Sequence, residues 1–229
     1  MFGYSDGKYQ GNPNLKPELS RGWEAGIEQE FLDKHVVIGA TYFDNRFLHQ
    51  IDTTYILVGG QYVATTFNND VRTRQQGVEA YGNARFGEWR IDASYTYLHA
   101  PQTIQALADP APPGGGFQSP VPITSQAVRR PKNSGSVNLT YAPAALPLTA
   151  TLTVRYNGRQ RDYAFNSDYS RLLVDMKAYT LVNLNLTYDI GRHFQIFGRV
   201  ENLFGETYQE VFTFATPGRA AYGGASFRF

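Results

Sequence analysis

Apolar and polar residues alternate along several segments of the chain, and the clearest case lies between residues 89 and 97. The apolar row there is Trp89, Ile91, Ala93, Tyr95 and Tyr97, and the polar row between its members is Arg90, Asp92, Ser94 and Thr96. A period of two places the two rows on opposite faces of a β-strand. The pattern predicts a strand whose apolar face carries aromatic side chains at both ends.

The same alternation recurs along the chain and predicts an all-β, antiparallel up-and-down fold of about nine strands. The predicted strands cover residues 20–31, 36–57, 62–86, 89–97, 133–142, 148–156, 182–188, 194–202 and 218–229. Short connections follow the odd-numbered strands, and long connections or long strand extensions follow the even-numbered ones. The connection 99–128 is so rich in proline and glycine that we expect no packed element there. Residues 1–19 are expected to form a loop.

Composition narrows the class of protein without deciding it. The 229 residues include 16 Tyr, 15 Phe and 22 Gly, carry a net charge of +1 and contain no Cys. The charge balance argues against nucleic acid as the main partner, and the lack of Cys excludes disulfides and thiolate metal sites. No run of about 18 apolar residues exists, which excludes a transmembrane helix. The start has no basic and apolar signal segment, so we expect an exported protein to have begun further upstream.

The last twelve residues, GRAAYGGASFRF, form the closing predicted strand and end on Phe229. Such an aromatic-ended strand resembles the closing strand of bacterial outer-membrane β-barrels. That resemblance implies that the barrel-assembly machinery reads Tyr222, Phe227 and Phe229. The last strand of a soluble sandwich is the alternative. In a sandwich, short and long connections are not expected to alternate along the chain. Outer-membrane barrels have short periplasmic turns and long extracellular loops, which produces this alternation.

The membrane-barrel interpretation orients each strand. Phe227 and Phe229 are predicted to face lipid, and Tyr222 is predicted to face the lumen. The charged residues predicted to face the lumen or a plug are Arg90, Asp92, Arg155, Arg199 and Glu201. A small barrel filled by packed side chains would not hold so many charges, so a wide barrel is expected. An odd strand count, with the first strand entered from outside, predicts that earlier strands are missing.

Five segments resemble the carboxyl-terminal part of TonB-dependent outer-membrane receptors. They are GNPNLKPE at 11–18, GVEA at 77–80, ASYTY at 93–97, RVENLF at 199–204 followed by Tyr208, and PGR at 217–219 before the closing strand. The resemblance implies a 22-stranded barrel that encloses a plug in the outer membrane of Gram-negative cells. It also implies import of siderophores, cobalamin or other scarce solutes, with energy from an inner-membrane TonB complex that engages an amino-terminal box.

The sequence departs from that family by lacking the box, the plug and more than half of the barrel. We therefore expect residues 1–19 to be the remnant of an extracellular loop and residues 20–229 to be the carboxyl-terminal portion of the barrel. Alone, this portion is not expected to transport. The segment RRPKN at 129–133 looks most like cobalamin-receptor-type members, with siderophore receptors as the alternative. A passive porin is the second function class that the sequence leaves open.

Candidate ligand-binding residues lie in the connection 158–177. Tyr163, Phe165, Tyr169 and Arg171 could stack on a flat small-molecule ligand, because exposed aromatic rings beside a cation favour such contacts. The alternative is that they pack against neighbouring loops. Asp162, Asp168 and Asp175 of the same connection could help to bind a cation, but they lack the spacing of a calcium loop, and ordinary solvated loop residues are the alternative.

No catalytic residue, metal site or cofactor is predicted. The chain has four His, and none pairs with another at metal-ligand spacing. No nucleophile with a recognisable base stands out, so an enzyme is not expected.

Overall fold

The computed structural model describes residues 9–69, 72–106, 121–165 and 171–227, and these residues form strands, turns and loops. The strands are β1 (Tyr9–Gln10), β2 (Leu19–Phe31), β3 (Val36–Leu48), β4 (Gln50–Val58), β5 (Gln61–Asn69), β6 (Thr73–Phe86), β7 (Trp89–His99), β8 (Pro101–Ala106), β9 (Val121–Gln126), β10 (Asn133–Tyr141), β11 (Leu148–Asn157), β12 (Gln160–Phe165), β13 (Arg171–Met176), β14 (Tyr179–Ile190), β15 (Phe194–Glu201) and β16 (Ala220–Phe227). In the part of the chain that is described, no helix is long and apolar enough to span a membrane.

Nine of the strands form one sheet, which confirms the predicted all-β fold and strand count. Their order is β16-β15-β14-β11-β10-β7-β6-β3-β2. Neighbours in the sheet follow each other along the chain once the small hairpins are set aside, as in an up-and-down topology. Short turns join β2 to β3, β6 to β7, β10 to β11 and β14 to β15. We call their end of the sheet the short-turn end and the other the long-connection end.

The remaining strands form small sheets within the connections. β4 pairs with β5, which also pairs in parallel with β1, β8 pairs with β9, and β12 pairs with β13. The predicted strand 36–57 is interrupted at His49, whose φ is 55°. The segment 1–19, predicted to be a loop, contains the short strand β1, because Tyr9 and Gln10 pair with Ala64 and Thr65 of β5.

The expectation that residues 99–128 contain no packed element is wrong. β8 and β9 pair antiparallel from Pro101 opposite Gln126 to Ala106 opposite Val121. Two prolines are tolerated because each strand of a two-stranded hairpin has a free edge, where a missing N–H group breaks no ladder bond. Pairs such as Thr103 and Thr124, whose hydroxyls lie 2.7 Å apart, add side-chain bonds across the hairpin.

The residue register gives the nine-stranded sheet one apolar and one polar face. Directly opposite residues from β7 to β16 form an apolar row: Ile91, Leu139, Leu152, Leu184, Val200 and Ala221. The adjacent polar row is Arg90, Thr140, Thr151, Asn185, Arg199 and Tyr222. Aromatic residues bound the apolar face towards the short-turn end, where Trp89 and Tyr141 stack at 4.5 Å. Towards the long-connection end, Tyr95 and Tyr156 flank Gly135.

Contacts divide the chain into two compact units. The first unit contains Met1–Glu24 and Phe43–Gln76, and the second contains Ala25–Tyr42 and Gly77–Phe229. Among the described residues of the second unit, the buried apolar side chains include Ala100, Met176, Tyr179 and Leu181. These residues lie where strands of the sheet meet the long connections. The packed part of this unit is therefore at the long-connection end, while most of the wall exposes both faces.

Candidate functional site

The long-connection end of the second unit is organised around Asp162 on β12, a carboxylate with no exposed surface. Arg129 donates from Nε to its Oδ1 at 2.9 Å. The backbone N–H groups of Tyr163 and Phe212 donate to its Oδ1 and Oδ2, each at 2.8 Å. Arg129 follows β9, Asp162 begins the β12–β13 hairpin, and Phe212 lies between β15 and β16. One buried side chain thus joins three separate connections, and we call this set the Asp162 anchor.

A second group of contacts attaches the segment 202–219 to the polar face. Glu210 accepts hydrogen bonds from Arg155 Nη2 and, at 3.2 Å, from the Tyr179 hydroxyl. The rings of Tyr179 and Tyr208 lie 4.6 Å apart. Tyr179 is buried at the long-connection end of β14, and its phenol O–H is the donor to the Glu210 carboxylate.

The β12–β13 hairpin has one packed face and one open face. Gln160, Asp162 and Met176 are buried on the packed face. On the open face, the guanidinium carbon of Arg171 lies 5.3 Å from the centre of the Tyr163 ring. The rings of Tyr163 and Phe165 lie 6.3 Å apart, and Phe165 is 61% exposed. Three of the four predicted ligand-binding residues are thus neighbours on one open surface, and Tyr169 lies outside the described residues.

A cleft of about 520 Å³ opens beside this hairpin. Its lining includes Asp175, Lys177, Tyr208, Phe212 and Phe214. Both walls come from elements that the Asp162 anchor and the Glu210 contacts hold, since Phe212 belongs to the first and Tyr208 to the second. The cleft combines aromatic rings with charged groups, as small-molecule sites often do.

The charged residues predicted to face the lumen lie along the polar face. Arg90 and Asp92 form an ion pair at 2.7 Å, and Arg199 and Glu201 form one at 3.4 Å. The fifth, Arg155, pairs with Glu210. The guanidinium of Arg199 also lies 4.4 Å from the centre of the Tyr222 ring. Arg90 and Arg199 are therefore each compensated by an acidic residue of their own strand, and Arg155 is compensated by Glu210 of the segment 202–219.

The closing strand β16 pairs with β15 along its whole length. Tyr222 lies opposite Arg199 on the polar face, and Phe227 lies opposite Phe194 on the apolar face. Phe229 lies outside the described residues. The ring of His193, in the turn between β14 and β15, is 6.1 Å from the ring of Phe227. Alternation along β16 is therefore as the sequence predicts.

The aspartates considered for a cation have other partners. Asp162 is bonded to Arg129, and Asp175 forms an ion pair with Arg161 at 2.8 Å. Asp168 is outside the described residues. Across the described ranges, no three His, Asp or Glu side chains come together in a way that could hold a metal ion.

Sequence reasoning missed the residues that hold the connections in place. Arg129 was noted only as part of a subfamily pattern, and neither Tyr179 nor Glu210 was singled out. The RVENLF segment at 199–204 is the part of the sequence that could have indicated this attachment. Asn202 in it is 4% exposed, accepts a hydrogen bond from the Glu206 N–H at 2.8 Å and donates to the Glu206 carbonyl at 2.9 Å. That motif is thus the start of the anchored segment.

The fold is shared with several solved receptor structures. The siderophore receptor PirA from Acinetobacter baumannii has 21% identity and a TM-score of 0.70, over 96% of this chain and 33% of its own. The pyoverdine outer membrane receptor FpvA from Pseudomonas aeruginosa PAO1, solved bound to pyoverdine, has 18% identity and a TM-score of 0.68, over 99% and 32%. The ferric enterobactin receptor PfeA from Pseudomonas aeruginosa has 19% identity and a TM-score of 0.68, over 95% and 32%. This chain spans about a third of their length.

The family comparison extends over most of the sequence. Residues 2–203 match the family model described as TonB dependent receptor-like, beta-barrel. The predicted preference for the cobalamin-type subfamily is not confirmed, since the structures compared above are siderophore receptors. Together with the antiparallel nine-stranded sheet, the match identifies this chain as a member of the TonB-dependent receptor β-barrel family and as part of an outer-membrane barrel wall.

Proposed function

We propose that this chain is the carboxyl-terminal part of a receptor that binds a ferric siderophore outside the cell and imports it. The observation that carries the proposal is the open face of the β12–β13 hairpin, where Arg171 lies over Tyr163 beside the exposed Phe165. In this family the long connections are extracellular. The hairpin therefore presents aromatic rings and a cation to the outside.

The chemistry of this face favours a siderophore over cobalamin. Many ferric siderophore complexes are anionic and carry flat aromatic groups, which suit an arginine and two aromatic rings. The residue that began the cobalamin-like pattern, Arg129, is bound to the buried Asp162. Arg129 therefore stabilises the connections in this chain, and this role weakens the argument from the RRPKN segment for a cobalamin receptor.

The rest of the receptor follows from the family. We propose that residues 20–229 are the last strands of a larger barrel, that residues 1–19 belong to an extracellular loop, and that a plug fills the lumen. The polar face, with Arg90, Arg199 and their acidic partners, would line that lumen. An amino-terminal box would receive energy from the TonB complex, and the closing strand would be read by the barrel-assembly machinery. A transport receptor needs no catalytic residue, and the family match favours it over a passive porin.

Upstream sequence tests this domain arrangement directly. We expect an in-frame plug domain and further barrel strands to be encoded before residue 1, because β2 and β16 leave the nine-stranded sheet with two open edges. Reading the DNA upstream of the first codon decides the matter. A signal peptide alone at that place would refute the proposal.

Loss of the hairpin's open face is expected to weaken ligand binding. In the full-length receptor, the double variant Tyr163→Ala, Arg171→Ala should bind its ferric siderophore about tenfold more weakly, since a partly desolvated cation–π contact and its stacking are worth roughly 1–2 kcal/mol. Affinity is measured by quenching of intrinsic fluorescence with a panel of ferric siderophores and with cobalamin.

Arg192→Ala is the matched control, because it removes an exposed arginine from the turn between β14 and β15 at the opposite end of the wall. Its affinity should equal that of the unaltered receptor. If the double variant bound a ferric siderophore as tightly as the control, the hairpin would not be the site. Tight binding of cobalamin alone would replace the proposed ligand.

A further inference from the structure

The segment 9–18, which contains GNPNLKPE, runs beside the β4–β5 hairpin in the first unit. Its first two residues form β1 and pair in parallel with β5. The hairpin is a complete ladder from Gln50 opposite Asn69 to Val58 opposite Gln61. In the described part of the chain, β4 and β5 pair with no strand of the nine-stranded sheet. The hydrogen bonds of the wall therefore do not fix the orientation of this hairpin.

The sequence of the segment gives it an extended shape with few bonding groups. Asn12 Oδ1 accepts a hydrogen bond from the Asn14 N–H at 2.9 Å, which closes a turn around Pro13. Pro17 keeps the preceding Lys16 out of the helical region, so that the backbone of Lys16 is extended. The N–H and C=O groups of an extended residue point to the same side. Lys16 can thus offer both groups to one neighbour.

That neighbour is the side-chain amide of Asn68 on β5. Its Oδ1 accepts from the Lys16 N–H at 2.7 Å, and its Nδ2 donates to the Lys16 carbonyl at 2.9 Å. The same Nδ2 also donates to the His49 carbonyl at 2.8 Å. His49 has a φ of 55° and separates β3 from β4. One amide therefore joins the segment, the hairpin and the break at the base of the hairpin.

Two more side chains of the segment bind the hairpin, one on each strand. Asn12 Nδ2 donates to the Thr66 carbonyl of β5 at 2.8 Å. Glu18 Oε1 accepts from the Ile51 N–H of β4 at 2.6 Å. Glu18 directly precedes β2, the strand that begins the nine-stranded sheet. The segment thus holds both strands of the hairpin up to the point where the wall begins.

We infer that the segment 9–18 is a strap that fixes the orientation of the β4–β5 hairpin, and that the hairpin turns as a unit about the break at His49 when the strap is released. The hairpin can turn intact because its own ladder closes through a two-residue turn, in which Gly59 and Gly60 have φ values of 57° and 82°. The bond from Thr73 Oγ1 to Gln50 Oε1 lies at the base of the hairpin, where it restricts turning least.

The strap assigns a conformational role to GNPNLKPE. Most of its bonds are at least partly exposed to water, so releasing it costs less free energy than opening the sheet. The hairpin belongs to a long connection, which is extracellular in this family. The strap therefore decides which surface of this extracellular hairpin is presented.

The first test measures hydrogen exchange in the full-length receptor with the substitution Asn68→Ala. The Ile51 amide is bonded to Glu18 and not to Asn68, so it reports on the strap as a whole. Its exchange should accelerate about tenfold, because three partly exposed hydrogen bonds are lost. Amides within the β4–β5 ladder should keep their rates. Heat-modifiable migration on a gel verifies that the barrel is folded.

The second test measures a distance by electron spin resonance between nitroxide labels at Tyr62→Cys and Ser20→Cys. Tyr62 is 77% exposed near the tip of the hairpin, and Ser20 is exposed at the start of β2. The distance distribution should be narrow with the strap intact and broad with Asn68→Ala. Asn12→Ala acts from the strap side and should also broaden it, with exchange at Ile51 about fivefold faster.

Asn69→Ala is the matched control. It removes the same kind of amide from the next position of β5, where Nδ2 donates at 2.9 Å to Asp52 within the hairpin. Exchange at Ile51 should stay within about twofold, and the distance distribution should stay narrow. No change with Asn68→Ala, or equal changes in the Asn68 and Asn69 variants, would overturn the strap. Faster exchange throughout the β4–β5 ladder would show that the hairpin unfolds and would overturn its turning as a unit.

Discussion

Replacing Asp162 with alanine is expected to release the connections that it joins while leaving the barrel wall folded. The substitution removes the acceptor for Arg129 and for the N–H groups of Tyr163 and Phe212. Breaking a fully buried ion pair costs about 3–5 kcal/mol. Arg129 is 51% exposed and can return to water, so the expected cost here is about 2–3 kcal/mol.

That cost should appear as local opening, because the long connections can detach without unfolding the nine-stranded sheet. Hydrogen exchange at the Tyr163 and Phe212 amides should accelerate about 30-fold or more, since 1.4 kcal/mol corresponds to a factor of ten. Trypsin should also cut the hairpin faster. Heat-modifiable migration on a gel should stay unchanged, because the wall does not depend on this carboxylate.

Asp175→Ala is the matched control for this prediction. Asp175 lies on the same hairpin and pairs with an arginine Nε at 2.8 Å, almost the distance of the Asp162 pair, but its side chain is 79% exposed. Exposed pairs contribute roughly 0.2–1 kcal/mol, so exchange should change by less than about fivefold. Similar acceleration in both variants would show that burial of Asp162 does not decide its importance.

Replacing Gly135 with alanine is expected to destabilise the wall itself. Gly135 lies in β10 between Tyr95 of β7 and Tyr156 of β11. A Cβ atom at this position would lie 2.7 Å from the Ser94 carbonyl oxygen. Because that oxygen belongs to the backbone of a strand paired on both sides, it cannot move away as a side chain could. We expect a loss of about 1–3 kcal/mol in the free energy of unfolding.

Gly82→Ala provides the comparison within the same wall. A Cβ atom there would meet its nearest neighbour, the Val37 carbonyl oxygen, at 3.8 Å, which is ordinary contact. Alanine should stabilise this strand by about 0.5–1 kcal/mol, because glycine loses more backbone freedom on folding. Urea unfolding of the full-length receptor in detergent or lipid measures both. Equal stability of the two variants would mean that the space beside Gly135 is not limiting.

Together the two predictions separate two layers of this receptor. Asp162→Ala should impair the hairpin that carries Tyr163 and Arg171, and hence the ligand binding proposed for it, in a barrel of normal stability. Gly135→Ala should lower barrel stability, yet receptors that do fold should bind ligand normally. The anchored connections thus depend on buried polar contacts, and the wall depends on close packing between neighbouring strands.

The alternating pattern by itself determined the wall of the barrel. In β7, β10 and β11 the apolar row can be read directly, because a strand's side chains switch faces at every residue and this requires no knowledge of its neighbours. The nine strands, the two faces and the lengths of the connections followed from that local rule. The resemblance to TonB-dependent receptors added the prediction that this wall belongs to an outer-membrane transport receptor.

Only the tertiary structure decided what the connections do. Asp162 and Asp175 look alike in the sequence, but Asp162 is buried because Arg129 and Phe212, 33 and 50 residues away, converge on it. The hairpin of β8 and β9 escaped prediction because a two-stranded ladder tolerates prolines on its free edges. Such contacts depend on how distant segments meet, which no local period records.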